Sequence, residues 1–387
     1  MLEWKLGWYH SCDDYRALPF TFTEITEVIQ ATVNLSGDQL RLGLSNQYGV
    51  SELVFQKVEI SLDEKFHVKQ SITFNGMTQA RIAKGTTLKS DPAYLKIKAG
   101  MQLYVKLSSN VTQTYADFCC TYDTTLTNAS FVRSYVGMPH FYHSMNARRG
   151  WFCLNEIDIL TDSEPVLINV TGDSLVEMGQ ISTSLTEALY YMNPEKIVVV
   201  NTGVSGERLL ANAPTDEPIY RTFGQSLLQK APVEVRKLQP TLTIAFVGAN
   251  DLLLPLLSEE AKKQIITLEQ FQQGIEHLKR IMAEHDSHLI LGTILPFRLG
   301  HGSVPHTQMY ADAMARRLEI NCYLRSLPET LDCSCLVEDT TQELKTLYDF
   351  GDHIHLNKRG GQKIAMALRN TIEKKVVLKR LHDKKYN

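Results

Sequence analysis

No stretch of this 387-residue chain approaches the roughly 18 uninterrupted apolar residues that a membrane-spanning helix needs, so no span is expected. The opening residues, Met1-Leu-Glu-Trp-Lys-Leu-Gly-Trp8, carry no basic region followed by an apolar one. They do not read as a secretory signal, and the expected compartment is the cytoplasm. No C-x-x-C pair occurs, and the seven cysteines are an odd, scattered set. Free thiols fit that set better than a disulfide framework. Cys119-Cys120 and Cys333-x-Cys335 have no nearby His pair, and a zinc site needs about four converging ligands. No metal is expected. A formal net charge of −3 offers no surplus of cations for a nucleic-acid partner. Internal repeats and low-complexity tracts are absent. The basic run from Lys374 to Lys385 reads as a solvated helix end, where cations suit the helix dipole.

Hydrophobic residues make up 43% and charged residues 21%, the balance of an ordinary globular protein. The length favours two domains, each able to bury a core. Residues 1–162 read as an antiparallel β-sandwich, jelly-roll-like. Apolar and polar residues alternate in Leu40–Ser45, Lys57–Leu62, Tyr94–Lys98 and Gln102–Leu107, with Gly, Asn, Asp and Pro between. Trp151–Leu160 is the expected last strand. Asp162-Ser-Glu-Pro165 is the expected junction.

From residue 163 to 387 the rhythm changes. Val166–Val170, Lys196–Val200, Leu242–Val247 and His288–Thr293 are short apolar runs, each suited to a strand buried on both faces. Helical patterns separate or follow them at Leu185–Met192, Ile219–Leu238, Ser258–His285, Gln308–Ser326 and Arg359–Leu381. Alternating strands and helices predict a three-layer α/β/α domain on a parallel sheet, flavodoxin-like. Ligands of such sheets sit beyond the carboxyl ends of the strands.

Four segments fall near those ends or in the last loop. Thr171-Gly-Asp-Ser-Leu175 puts Ser174 between a strand and a helix. Its hydroxyl could attack a carbonyl, and its N–H could bind the resulting oxyanion. Ser174-Leu-Val-Glu177 is equally a capping-box pattern. Gly203-Val-Ser-Gly206 could bring a second N–H close to a ligand, or simply turn the chain. Gly248-Ala-Asn-Asp251 offers the Asn250 amide as a third donor, against an Asx-turn or N-cap role. Asp352-His-Ile-His355 places a carboxylate within reach of an imidazole, which would orient His355 as a base. His353 and Asp349 compete for those roles. The two histidines could also pair on a metal, though no third ligand is evident.

These residues resemble the SGNH hydrolases, or GDSL esterases. Gly172-Asp-Ser-Leu175 is similar to the block holding the nucleophile, and Gly206 to the oxyanion glycine. Asn250 falls at the oxyanion asparagine, and Asp352-x-x-His355 at the acid and base. Arg41–Gly49, Ser90-Asp-Pro92, Gly292–Phe297 and Arg317–Asn321 are similar to segments of bacterial members that carry an N-terminal β-sandwich. The resemblance implies a serine esterase without a cofactor. Ser174, Asp352 and His355 would be the catalytic residues, with Ser174, Gly206 and Asn250 as the oxyanion hole. His355-Leu-Asn357 departs from the usual His-Pro-Asn, and Ala249 replaces a larger residue.

The substrate reading is a short-chain O-acyl ester, acetyl first, on a small molecule or a carbohydrate. A lysophospholipase or thioesterase is the alternative. For it Leu252-Leu-Leu-Pro-Leu-Leu257 could line an acyl groove, or be buried helix surface. A non-catalytic carbohydrate-binding protein is the alternative from another class. Arg208 could meet an anionic substrate or be a surface cation.

Overall fold

The computed structural model describes residues 1–135, 148–299 and 308–375. The distal part of the basic run at 374–385 lies outside them. The chain divides into two compact units: Met1–Pro165 with Tyr190–Val200, and Val166–Leu189 with Asn201–Asn387. Among the described residues no helix is long and apolar enough to cross a membrane.

The N-terminal region is antiparallel. One sheet runs Glu3–Tyr9, Leu154–Thr161, Gly37–Asn46, Ala93–Ile97, with Thr86–Lys89 also on Gly37–Asn46. A second is centred on Phe20–Thr32, which pairs with Gln102–Ser109, Gln113–Tyr115 and Thr127–Tyr135. The expected strand Trp151–Leu160 is two strands, Arg149–Phe152 and Leu154–Thr161. Cys153, at φ 65°, breaks it, and the two halves pair in different sheets.

Two of the recognised segments turn out to hold loops. The Asn46 amide donates to Ser51 O and Ile82 O, both at 2.9 Å. Ser90 Oγ accepts from Leu42 N at 2.9 Å, and Asp91 accepts from Gly76 N at 2.8 Å. Buried backbone groups need such partners.

The C-terminal region is built on a five-stranded parallel sheet. Its order is Ile197–Asn201, Val166–Gly172, Leu242–Phe246, His288–Gly292, Thr330–Leu331. Every residue of Leu242–Phe246 is buried, as a strand covered on both faces requires. Helices Gln180–Met192, Leu227–Leu238, Leu268–Glu284, Gln308–Ser326 and Lys358–Lys375 accompany it.

Four helix boundaries differ from expectation, the first being that of Leu185–Met192, which begins at Gln180. Ile219–Leu238 splits into a 3-10 turn at Tyr220–Phe223 and a helix at Leu227–Leu238, with Gly224 at φ 71° between them. Ser258–His285 splits at Thr267, whose hydroxyl and Gln270 form a capping box that starts Leu268–Glu284. The last helix begins at Lys358, so Gly360 and Gly361 lie in its first turn. Asn357 Oδ1 accepts from Gly360 N at 3.1 Å and caps it.

Arg317 and Asn321 lie on the helix Gln308–Ser326. The Asn321 amide accepts from Ile294 N and donates to Ile294 O, both at 2.8 Å. It holds the chain leaving His288–Gly292. Fully buried Arg317 faces Glu338 at 3.4 Å.

Candidate active site

Ser174 opens the short helix Ser174–Glu177, directly after the strand Val166–Gly172. It is the only residue from 171 to 180 that is not buried. The capping-box reading fails here. Asp173 is the N-cap and accepts from Leu175 N at 3.0 Å. That leaves the Ser174 hydroxyl for another partner, and Ser174 Oγ lies 2.7 Å from His355 Nε2. Glu177 turns instead to the neighbouring loop, where its Oε2 accepts from Ser205 N at 2.8 Å and from Ser205 Oγ.

His355 is fixed from its other side. Its Nδ1 lies 2.6 Å from Asp352 Oδ2, and Asp352 Oδ1 accepts from His355 N at 2.8 Å and Ile354 N at 3.0 Å. Burial pushes the Asp352 carboxyl up. The His355 hydrogen bond and charge and the two backbone donors outweigh it, holding the carboxyl well below the usual carboxylate range. An ionised Asp352 assigns the proton of neutral His355 to Nδ1 and leaves Nε2 to accept from Ser174.

The competing pair is occupied with itself. His353 Nδ1 lies 2.6 Å from Asp349 Oδ2, and His353 has φ 64°. Two Asp–His pairs thus stand in one loop, and it is His355 that lies within hydrogen-bond reach of the Ser174 hydroxyl. Among the described residues no group of His, Cys, Asp and Glu could hold a metal ion.

Gly206 sits at φ 78°, in the left-handed region. A Cβ there would lie 2.1 Å from the Phe223 ring. Among the described residues the N–H groups of Ser174 and Gly206 take no acceptor. Gly206→Ala is therefore expected to displace Phe223 or the loop and to lower turnover by roughly tenfold to hundredfold. Michaelis kinetics alongside a melting curve checks this, since a fall in melting temperature alone would mark a folding defect.

Asn250 is not a cap. Gly248 is the N-cap of Ala249–Leu253, and buried Asn250 turns its amide elsewhere. Its Nδ2 donates to Glu207 O at 3.2 Å and to Asp173 Oδ2 at 3.4 Å. Asn250 is therefore tied to residues adjacent to both Gly206 and Ser174. Burial raises the Asp173 carboxyl to about 6. The next residue, Asp251, accepts from Leu209 N at 2.7 Å and Leu210 N at 3.2 Å, fixing the chain beyond Gly206.

Arg208 is neither of the things expected of it. It is 2% exposed and donates to Asn212 O, so it is a buried brace for its own loop. Leu252, Leu253, Leu254 and Leu256 are buried, three of them in the core cluster with Phe271. Leu257, the last of the run, is exposed. Asp173 and Glu207 carry no role of their own in the sequence patterns, and Glu177 only that of a cap. Their common signal is an acidic residue beside a candidate site residue, in a segment otherwise apolar enough to be buried.

A family model described as GDSL-like lipase/acylhydrolase matches residues 168–368. The chain belongs to this family, and it is a carboxylic ester hydrolase. Among solved structures it is similar to a GDSL-like lipase from Bacteroides thetaiotaomicron, at 15% identity and TM-score 0.39, over 54% of this chain and 89% of the other. A carbohydrate acetylesterase family member from Sinorhizobium meliloti gives 15% identity and TM-score 0.40, covering 54% and 97%. The acetyl xylan esterase AlAXEase gives 14% identity and TM-score 0.40, covering 54% and 100%. No curated protein matches the chain.

Proposed function

We propose that this chain hydrolyses a short-chain O-acyl ester, acetyl first, on a carbohydrate or other polar alcohol. Ser174 is the nucleophile, His355 the general base and acid, and Asp352 the orienting carboxylate. The observation that carries this reading is the continuous link Ser174 Oγ–His355 Nε2–Asp352, at 2.7 and 2.6 Å.

Ser174 Oγ attacks the ester carbonyl while its proton passes to His355 Nε2. The carbonyl oxygen becomes an oxyanion, met by the N–H groups of Ser174 and Gly206 and the Asn250 amide. Asn250 keeps its bond to Glu207 O and exchanges the longer contact with Asp173 for the oxyanion. The imidazolium then protonates the departing alkoxide, and the alcohol leaves an acyl-serine. Water adds to that ester, His355 takes its proton and returns it to Ser174 Oγ, and the carboxylic acid departs.

Two features support a short acyl group. Four of the five leucines after Asn250 are buried, with Leu257 alone exposed, which leaves little of the run to line a channel for a long chain. The Phe223 ring lies against Gly206 and narrows the space beside the oxyanion donors. The alcohol side is more open, since the side chains of His355 and Asp352 are 21% and 42% exposed. That suits a bulky polar alcohol.

An acyl-ester panel from acetyl to palmitoyl, with acetylated oligosaccharides, tests the reading. Turnover is expected to be greatest for acetyl and to fall with each added pair of methylenes. A steep preference for long chains would overturn the acetyl assignment and favour a lysophospholipase or thioesterase.

A further inference from the structure

The loop that carries Gly206 is held at both ends by buried acids. At one end Glu177 accepts from Ser205 N and Oγ. At the other, Glu207 is fixed at three points. Its N–H donates to Val204 O at 3.0 Å, and its carbonyl accepts from Asn250 Nδ2 at 3.2 Å. Its side chain is wholly inaccessible, and Oε1 lies 2.7 Å from Lys230 Nζ. Lys230 belongs to the helix Leu227–Leu238 and also donates to Thr202 O at 2.7 Å. Glu234, one turn further along, stands 3.7 Å from the same Nζ.

An ion pair with one member wholly inaccessible and the other only 15% exposed is a poor source of stability. The two charges lose more hydration than their attraction commonly returns, and apolar replacements of similar volume are often neutral or stabilising. Glu207 Oε2 also has no hydrogen-bond partner among the described residues. Stability therefore does not account for an acid at this position. Geometry does. Gly206, at the tight turn of the oxyanion loop, is the direct neighbour of Glu207. The Asn250 amide hangs on the Glu207 carbonyl. Two of the three oxyanion donors thus depend on where residue 207 is held.

We propose that the Glu207–Lys230 pair is a positioning element of the oxyanion hole, presetting the Gly206 N–H and the Asn250 amide for the transition state. The proposal rests on the serine-esterase reading above. Glu207 touches no substrate and acts through its backbone and Asn250. Preset donors cost no reorganisation when charge develops, so their loss is read in kcat. A shift of about 1 Å at such a site can cost roughly hundredfold in rate.

The test is a double-mutant cycle between this pair and Asn250, measured on p-nitrophenyl acetate. Glu207→Gln and Lys230→Met are made singly. In a Glu234→Gln background, Glu207→Met with Lys230→Met removes the pair together and leaves no lone buried charge, which keeps the fold testable. Each is combined with Asn250→Ala. The double-Met variant is expected to lose roughly tenfold to hundredfold in kcat with KM within about twofold. In the Asn250→Ala background the same change should lose clearly less, because part of its route is already gone. A folded double-Met variant with wild-type kcat would overturn the proposal. So would equal losses in both backgrounds, which mark a general structural role. Serine-dependent turnover by the wild type is measured in the same series. Its absence would sink the esterase reading itself, a result distinct from either of these.

Discussion

Ser174→Ala should lose roughly three decades or more of turnover while the protein keeps its fold. The reasoning is local. Ser174 Oγ bonds to His355 Nε2, and the strand, cap and helix around it are held by other groups. Removing one half-buried hydroxyl deletes the atom that forms the acyl bond and leaves no cavity of consequence. The oxyanion donors remain, so a residual rate above that of water is expected. The wild type should react with a fluorophosphonate to give a stoichiometric serine adduct, and the variant should not. Melting curves of the two should coincide within a few degrees. Near-normal turnover by Ser174→Ala would end the assignment, whatever the labelling shows.

Asp352→Asn should be the second largest loss, roughly two to four decades in kcat with little change in KM. An amide at 352 presents an N–H as readily as an oxygen to His355 Nδ1. The imidazole then settles in the wrong tautomer, with its proton on Nε2 against Ser174. Asp349 does not substitute, because it is 2.6 Å from His353 Nδ1. The change also has a pH signature. The Asp352 carboxyl is held below its ordinary value, so the native state binds this proton less readily than the unfolded chain does. Its contribution to stability is full above the unfolded carboxylate range, near pH 4, and is lost as pH falls toward the depressed value. Wild-type melting temperature should therefore drop more steeply below about pH 4 than that of Asp352→Asn. The same activity from Asp352→Asn and wild type, with a large loss from Asp349→Asn, would transfer the role to Asp349.

Much of this was legible in the sequence because it is periodic or close in sequence. The buried parallel strands read as apolar runs, and Leu40–Ser45 reads as an alternation, inside a strand that extends over Gly37–Asn46. Asp352 and His355 are three apart in one loop, so their pairing needs no tertiary knowledge. Ser174–Glu177 shows where local patterns stop. The segment satisfies a capping box in letters, yet Asp173 stands one residue earlier and wins the cap. Glu177 is then drawn to Ser205, a contact that only the folded loop supplies. The strand Phe20–Thr32 was not among those expected. Thr23 and Glu24 both face away from the core, which slips the alternation, and buried Glu27 falls where an apolar residue would be looked for. Its carboxylate is taken by Phe152 N at 2.9 Å. The Glu207–Lys230 pair has no sequence signature, since its members sit on different elements and neither pattern requires the other.

The glycine in the first turn of the last helix has a meaning for anyone who would alter this enzyme. A Cβ on Gly361 would lie 2.0 Å from Gln180 O, a backbone atom of the helix that follows Ser174–Glu177. Main chain touches main chain there, between the helix that follows His355 and the helix that follows Ser174–Glu177. No rotamer change relieves such a contact. A saturation library would therefore find position 361 nearly as intolerant as Ser174 itself, although glycine has no functional group to lose. Redesign of substrate preference has freedom around Phe223 and the exposed alcohol side, and almost none along this seam.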